Sequence, residues 1–135
     1  MSDPRERAEH DTVVTEVARL RLSFPNESNS KWRTFTNGSD QTMGIRSGSQ
    51  RIYPDIVVLD ENNAIQRIGE VETASSINET EAMRWKTYSE TCGGNFYLYV
   101  PRESIEDASS LLRQKDVRYS DLNAYSFVNG EVLFE

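Results

Sequence analysis

Residues 51–59 and 65–72, RIYPDIVVL and IQRIGEVE, constrain this chain more than any other feature. Both runs are rich in β-branched residues, and the Asp60-Glu61-Asn62-Asn63 segment between them carries turn chemistry, so the pair reads as an antiparallel hairpin. Successive side chains of a strand point to opposite faces. Tyr53, Asp55 and Val57 therefore share one face of the first strand; Ile68, Glu70 and Glu72 share one face of the second, with Val71 on the other. Pairing Asp60 with Ile65 brings Asp55 opposite Glu70, with their Cβ atoms about 5 Å apart. Asp55, Glu70 and Glu72 then converge at one end of the hairpin.

Carboxylates held this close repel one another unless something neutralises them. A solvated face is the ordinary place for alternating acids, but acidic residues are poor strand formers and these adjoin the most apolar strand of the chain. A hard divalent cation, Mg²⁺ or Mn²⁺, takes oxygen ligands and keeps several waters, which suits such a set. Bound there, it would polarise a phosphate and lower the pKa of an attacking water.

The remaining pattern is that of one α/β domain spanning 1–135. A helix is expected from about Asp3 to Arg21, with Val13, Val14, Val17, Ala18 and Leu20 on its apolar side, ending before Phe24-Pro25. Residues 31–36 read as a strand, and 37–50, full of Gly, Ser and Asn, as a mobile loop with Met43 and Ile45 folding back. Asn78 opens a second helix as a capping box with Glu81; Ala82, Trp85, Tyr88 and Ser89 form its buried face, and Gly93-Gly94 ends it. Residues 95–100, NFYLYV, form a strand covered on both faces. Ser104 caps a third helix with Ile105, Ala108, Leu111 and Leu112 inward, and Asn129-Gly130 turns a final hairpin of type I′. The expected architecture is a mixed central sheet flanked by helices.

Several function classes fall away. Cys92 is the only cysteine, so neither an intramolecular disulfide nor a cysteine zinc cluster can form, and a buried, unreactive thiol is expected. No apolar run reaches the ~20 residues of a membrane span, and the first ten residues lack the apolar stretch of a secretory signal, so the expectation is a cytoplasmic protein. No Gly-rich phosphate loop or Ser-His-Asp pattern is present. The lone His10 reads as solvent-exposed, and Trp85 and Tyr88 read as core. A net charge of −7 argues against avid nonspecific binding to nucleic acid, though not against a carboxylate metal site.

Pro54-Asp55, followed on the next strand by Glu70-Val71-Glu72, resembles the PD-(D/E)xK superfamily of restriction-type nucleases and junction resolvases. The resemblance covers roughly residues 5–100 and implies the family's restriction endonuclease-like αβββαβ core, here with an added C-terminal helix and β-hairpin. It implies metal-dependent phosphodiester hydrolysis, with Asp55 and Glu70 as ligands of Mg²⁺ or Mn²⁺. Glu72 stands where the motif has lysine, an ExE variant known in some restriction enzymes of the family. Elsewhere in the family that lysine moves to the neighbouring helix, for which Lys86 is the candidate, with Arg84 behind it. The acidic residue that the family often adds from its first helix corresponds to Glu16, with Glu9 as the alternative.

Nucleic acid, DNA in first place, is the implied partner, with a partner protein or a second copy helping to grip it. Lys31, Trp32, Arg33, Arg46 and Arg51 form a candidate contact patch, although a charged strand edge would look the same. The contrasting expectation, favoured by the acidity and the missing lysine, is a catalytically inactive nuclease-fold protein that serves as a binding or assembly module.

Overall fold

The computed structural model describes residues 4–38 and 40–135; Asp3, the expected start of the first helix, lies outside them. Helix α1 spans Pro4–Leu20 and buries Val13, Val14 and Val17, a single stripe at helical spacing. The chain then turns inward at Leu22, which is fully buried.

The main sheet is mixed and six-stranded. Its members are β1 (Arg33–Thr36), β4 (Ile56–Leu59), β5 (Ile65–Val71), β6 (Phe96–Pro101), β7 (Asp121–Val128) and β8 (Glu131–Phe134), in that spatial order. β1, β4 and β5 form an antiparallel meander, β5, β6 and β7 run parallel, and β8 returns antiparallel to β7. Helices α2 (Glu79–Thr91) and α3 (Ile105–Gln114) supply the crossovers on either side of β6. The protein is thus α/β, with a mixed sheet and flanking helices.

Alternation divides the core into two layers. Val57, Leu59, Ile68 and Leu98 pack with Trp85, Tyr88, Ala108 and Leu112 of α2 and α3. Ile56, Val58, Val71 and Tyr99 pack on the other face with Val13, Val14 and Val17 of α1. β6 is buried along almost its whole length, because both faces are covered.

Gly69 lies where α1 meets the sheet. A Cβ there would come within 2.8 Å of Leu22 Cδ1 and 3.3 Å of Ile56 Cβ, both side chains fully buried. Gly69→Ala is expected to destabilise the fold by about 1–3 kcal/mol through overpacking, read as a lower urea midpoint at unchanged slope.

Several local expectations are corrected. The run 51–59 is not one strand: β2 (Ile45–Ser47) and β3 (Gln50–Ile52) form a separate small hairpin, and β4 begins only at Ile56. Pro54 has no N–H for the ladder, and the Pro54 carbonyl is taken by the Asn37 side chain at 2.7 Å. The loop 37–50 therefore contains regular structure, and Ile45 within it reaches the core. Asp60 does not pair with Ile65; a bulge makes Leu59 the partner. The Asp60 carboxylate instead accepts from Asn62 N, Ala64 N and Gln66 Nε2, closing the turn.

At the third helix, the Ser104 side chain makes no capping hydrogen bond, since the residue lies in a short 3₁₀ turn, Arg102–Ser104. Ile105 and Leu111 are only partly buried there. β7 starts at Asp121, extended by parallel pairing with β6 that the sequence does not signal. Asn129 and Gly130 have φ of 53° and 81°, as a type I′ turn requires.

Candidate metal centre

The strand pairing that carries the acidic residues does form. Ile56 pairs with Gly69 and Val57 with Ile68, so one further step along the ladder places Asp55 against Glu70. There the ladder bond is replaced: Asp55 N donates to Glu70 Oε2 at 2.7 Å, and Val71 N donates to Asp55 Oδ2 at 2.9 Å. Glu72 is buried just past β5, its backbone N–H donating to Tyr99 O. Its carboxylate accepts from Ser76 Oγ at 2.6 Å and Trp85 Nε1 at 2.9 Å, and its carbonyl accepts from the Tyr125 hydroxyl at 2.8 Å.

These groups form the floor of a cavity of about 620 Å³, walled by the first half of α1, by Asn37, Gly38, Gln41 and Tyr53, and by the start of α2. One carboxylate oxygen from each of Glu70, Glu72 and Glu81 lies within 4.8 Å of the other two. The sequence makes Glu81 half of a capping box with Asn78. Only one half forms: Asn78 accepts from Glu81 N, while the Glu81 side chain turns to Glu72 and Arg84.

Burial pushes the Glu70 carboxyl well above the usual carboxylate range, and the charges of Asp55 and Glu72 push it further. Glu72 is raised for the same first reason, then by its hydrogen bond and charge interaction with Glu81, against the opposing donors Ser76 and Trp85. Two buried carboxyls that resist ionisation, Glu70 and Glu72, in a pocket open to solvent are a fit for a hard divalent cation, whose charge favours the ionised forms that burial disfavours.

His10 is not the exposed residue expected from sequence. The straight run of α1 carries it across the sheet end, where it is partly buried, with Nε2 3.2 Å from Asp55 Oδ2 and Nδ1 3.1 Å from Asp11 Oδ1. Burial opposes its charge, but the hydrogen bond and field of Asp55, aided by Asp11, win and raise its pKa to about 9. The stability this adds to the metal-free protein is complete below pH ~6.5 and lost as pH rises through about 9. The expected stability gap between wild type and His10→Gln is therefore widest near pH 6, at most about 3 kcal/mol, and closes by pH 10. Urea titrations of both proteins across that range check it.

Glu16, Glu9 and Lys86 fall outside the cavity. Glu16 pairs with Arg19 at 2.8 Å and Glu9 with Arg5 at 3.9 Å; among the described residues of α1, Glu6 is the glutamate that lines the cavity, accepting from Ser75. Lys86 Nζ donates to Lys115 O at 3.0 Å, away from the carboxylates, whereas Arg84 stands at the cavity wall and reaches Tyr88 Oη at 3.0 Å. Trp85, Tyr88 and Cys92 are buried, as the sequence reading has them.

Lys31, Trp32, Arg33, Arg46 and Arg51 separate into two groups, neither lining the cavity. Arg33 lies at the end of β1 remote from Asp55 and bonds Asp60 O and Asn63 Oδ1. Trp32 packs on Phe24 with ring centroids 5.1 Å apart, and Arg67 lies over both rings. Arg46 and Arg51 face each other across the β2–β3 hairpin.

No family model, no curated protein and no solved structure matches this chain. No described helix is long and apolar enough to cross a membrane.

Proposed function

We propose that this protein is a metal-dependent nuclease of the PD-(D/E)xK type that hydrolyses phosphodiester bonds in nucleic acid. The observation that carries this reading is the meeting of Asp55 with the buried, ionisation-resistant Glu70 at the solvent-open end of an antiparallel strand pair, with Glu72 and Glu81 beside them. Asp55 and Glu70 would hold Mg²⁺ or Mn²⁺. The ion, when bound, supplies Lewis-acid polarisation of the phosphate and a more acidic water.

The chain's own groups do the rest. Ser76 and Trp85 fix the Glu72 carboxylate from two sides, so that it can orient a water without swinging away. Arg84 at the cavity wall would meet charge developing on the phosphate, the part for which the sequence offers Lys86 or Arg84. Val71 N holds the Asp55 carboxylate in place from the backbone.

The test is cleavage of oligonucleotides in 5 mM Mn²⁺ or Mg²⁺, about a saturating level for such sites. Cleavage that stops with chelator and in Asp55→Ala, while that variant stays folded, is the expected result. Activity undiminished in Asp55→Ala would overturn the assignment. A second reading, a catalytically inactive module of the same fold, is favoured by one observation: no lysine lines the cavity among the described residues. It predicts nucleic-acid or protein binding without turnover.

A further inference from the structure

We infer that the substrate enters as a single strand, with its base stacked on Tyr53 and its phosphate held by Arg7; this rests on the nuclease reading above. The cavity that contains the carboxylates is about 620 Å³ and is walled on three sides. That is the size of a small-molecule pocket, about 300–1,000 Å³. A nucleotide with its phosphate fits inside it, whereas a double helix could lie only across its mouth.

The walls are fastened rather than loose. Glu6 in the first turn of α1 accepts from both Ser75 N and Ser75 Oγ beyond β5. Opposite, the buried Asn37 ties the other wall together: its Nδ2 donates to Met43 O and Pro54 O at 2.7 Å, and its Oδ1 accepts from Met43 N at 2.7 Å. Between them Tyr53, partly buried, lines the cavity two residues before Asp55. Its ring rests against Gly44, where even a Cβ would come within 2.8 Å of Tyr53 Cε1. An aromatic ring fixed beside the reacting centre is a stacking platform, and every unpaired base offers a face to it.

The charge distribution points the same way. The cations lining the cavity are Arg7, His10 and Arg84; His10 is taken by Asp55 and Asp11, and Arg84 reaches Glu81 at 3.5 Å. Exposed Arg7 at the rim makes no ion pair among the described residues. One or two phosphate contacts suit a strand threaded into a cleft, whereas tracking a duplex calls for many more, on the order of 6–10. On a chain of net charge −7, no run of basic residues that could track a duplex surrounds this cavity among the described residues.

The test is fluorescence anisotropy with Ca²⁺ in place of Mg²⁺, using a labelled strand of about 16 nucleotides, the upper end of what one small single-strand-binding domain covers, alone and annealed to its complement. Tighter binding of the single strand, by about 10-fold or more, is expected. Tyr53→Ala is expected to weaken it by about 5–100-fold, in line with base stacking, with Tyr53→Phe restoring it; Arg7→Ala is expected to reduce its salt dependence. Equal or tighter binding of the duplex, or single-strand binding untouched by Tyr53→Ala, overturns the inference. A protein that takes up Mn²⁺ yet prefers duplex leaves the nuclease reading standing, whereas one that binds neither Mn²⁺ nor either nucleic acid overturns both.

Discussion

Glu70→Gln is expected to stabilise the metal-free protein while abolishing its affinity for divalent cations. Gln keeps an oxygen to accept from Asp55 N but removes a buried charge that Asp55 and Glu72 repel. The sign follows from linkage. A carboxyl whose folded pKa is raised holds its proton more tightly in the native state, so its ionisation erodes stability as pH climbs from the unfolded value through the folded one. Below about pH 4 the variant and wild type should unfold alike. At pH 8 the variant should be the more stable, by about 1–2 kcal/mol, the usual yield of relieving a functional site of its strain. Mn²⁺ affinity should fall by about 100-fold or more, beyond the roughly 10–100-fold that losing a mere supporting partner of a ligand costs. Thermal unfolding at both pH values, with and without Mn²⁺, checks all three effects. A destabilised Gln variant would mean that Glu70 is a structural acceptor, not a poised ligand.

Trp85→Ala is expected to be the most damaging single change to the fold. Trp85 is fully buried between α2 and the sheet, and its indole N–H also donates to Glu72 Oε2 at 2.9 Å. Truncation removes a large apolar side chain and leaves a cavity, which costs about 3–5 kcal/mol. It also strips a buried carboxylate of a donor, raising the Glu72 pKa further. Trp85→Phe separates the two effects: most of the packing stays, and the loss of the indole donor remains. Urea unfolding should rank the three proteins wild type, Phe, Ala, with the gap to Phe dominated by the single hydrogen bond.

The centre of this site was legible in sequence because a strand alternates with period two. That regularity, with a register set at the turn, puts Asp55 opposite Glu70 and Ile68 on the same face as Glu70. The bulge next to Leu59 did not disturb the pairing at the other end of the strands, since the slip is confined to Gln66, the extra residue between Ile65 and Arg67. The β2–β3 hairpin was hidden because its strands are three residues each and its composition is that of a loop. Only the partners of Pro54 reveal why the long run breaks there.

Residues brought in from outside the hairpin were the ones missed or misread. His10 reaches Asp55 across 45 positions, through the length and direction of α1, which no local pattern encodes. Glu81 carried a sufficient local explanation as a capping residue, and its true facing emerges only when α2 docks on the sheet. An indirect signal for Glu81 existed in its own helix, since Ala82, Trp85 and Ser89 fix the buried stripe and place Glu81 at its margin. For Glu16 the same helical reasoning misled, because the cavity lies at the opposite end of α1, near Glu6 and Arg7.

The most direct measurement is a calorimetric Mn²⁺ titration of metal-free protein at pH 7, repeated in two buffers of different ionisation enthalpy. A divalent ion bound beside Glu70 and Glu72, whose hold on the proton burial strengthens, displaces protons. Saturable binding with proton release, lost in Asp55→Ala and in Glu70→Gln, is the predicted result. Absence of binding to the wild type, or equal binding to all three proteins, would contradict a metal centre at Asp55 and Glu70.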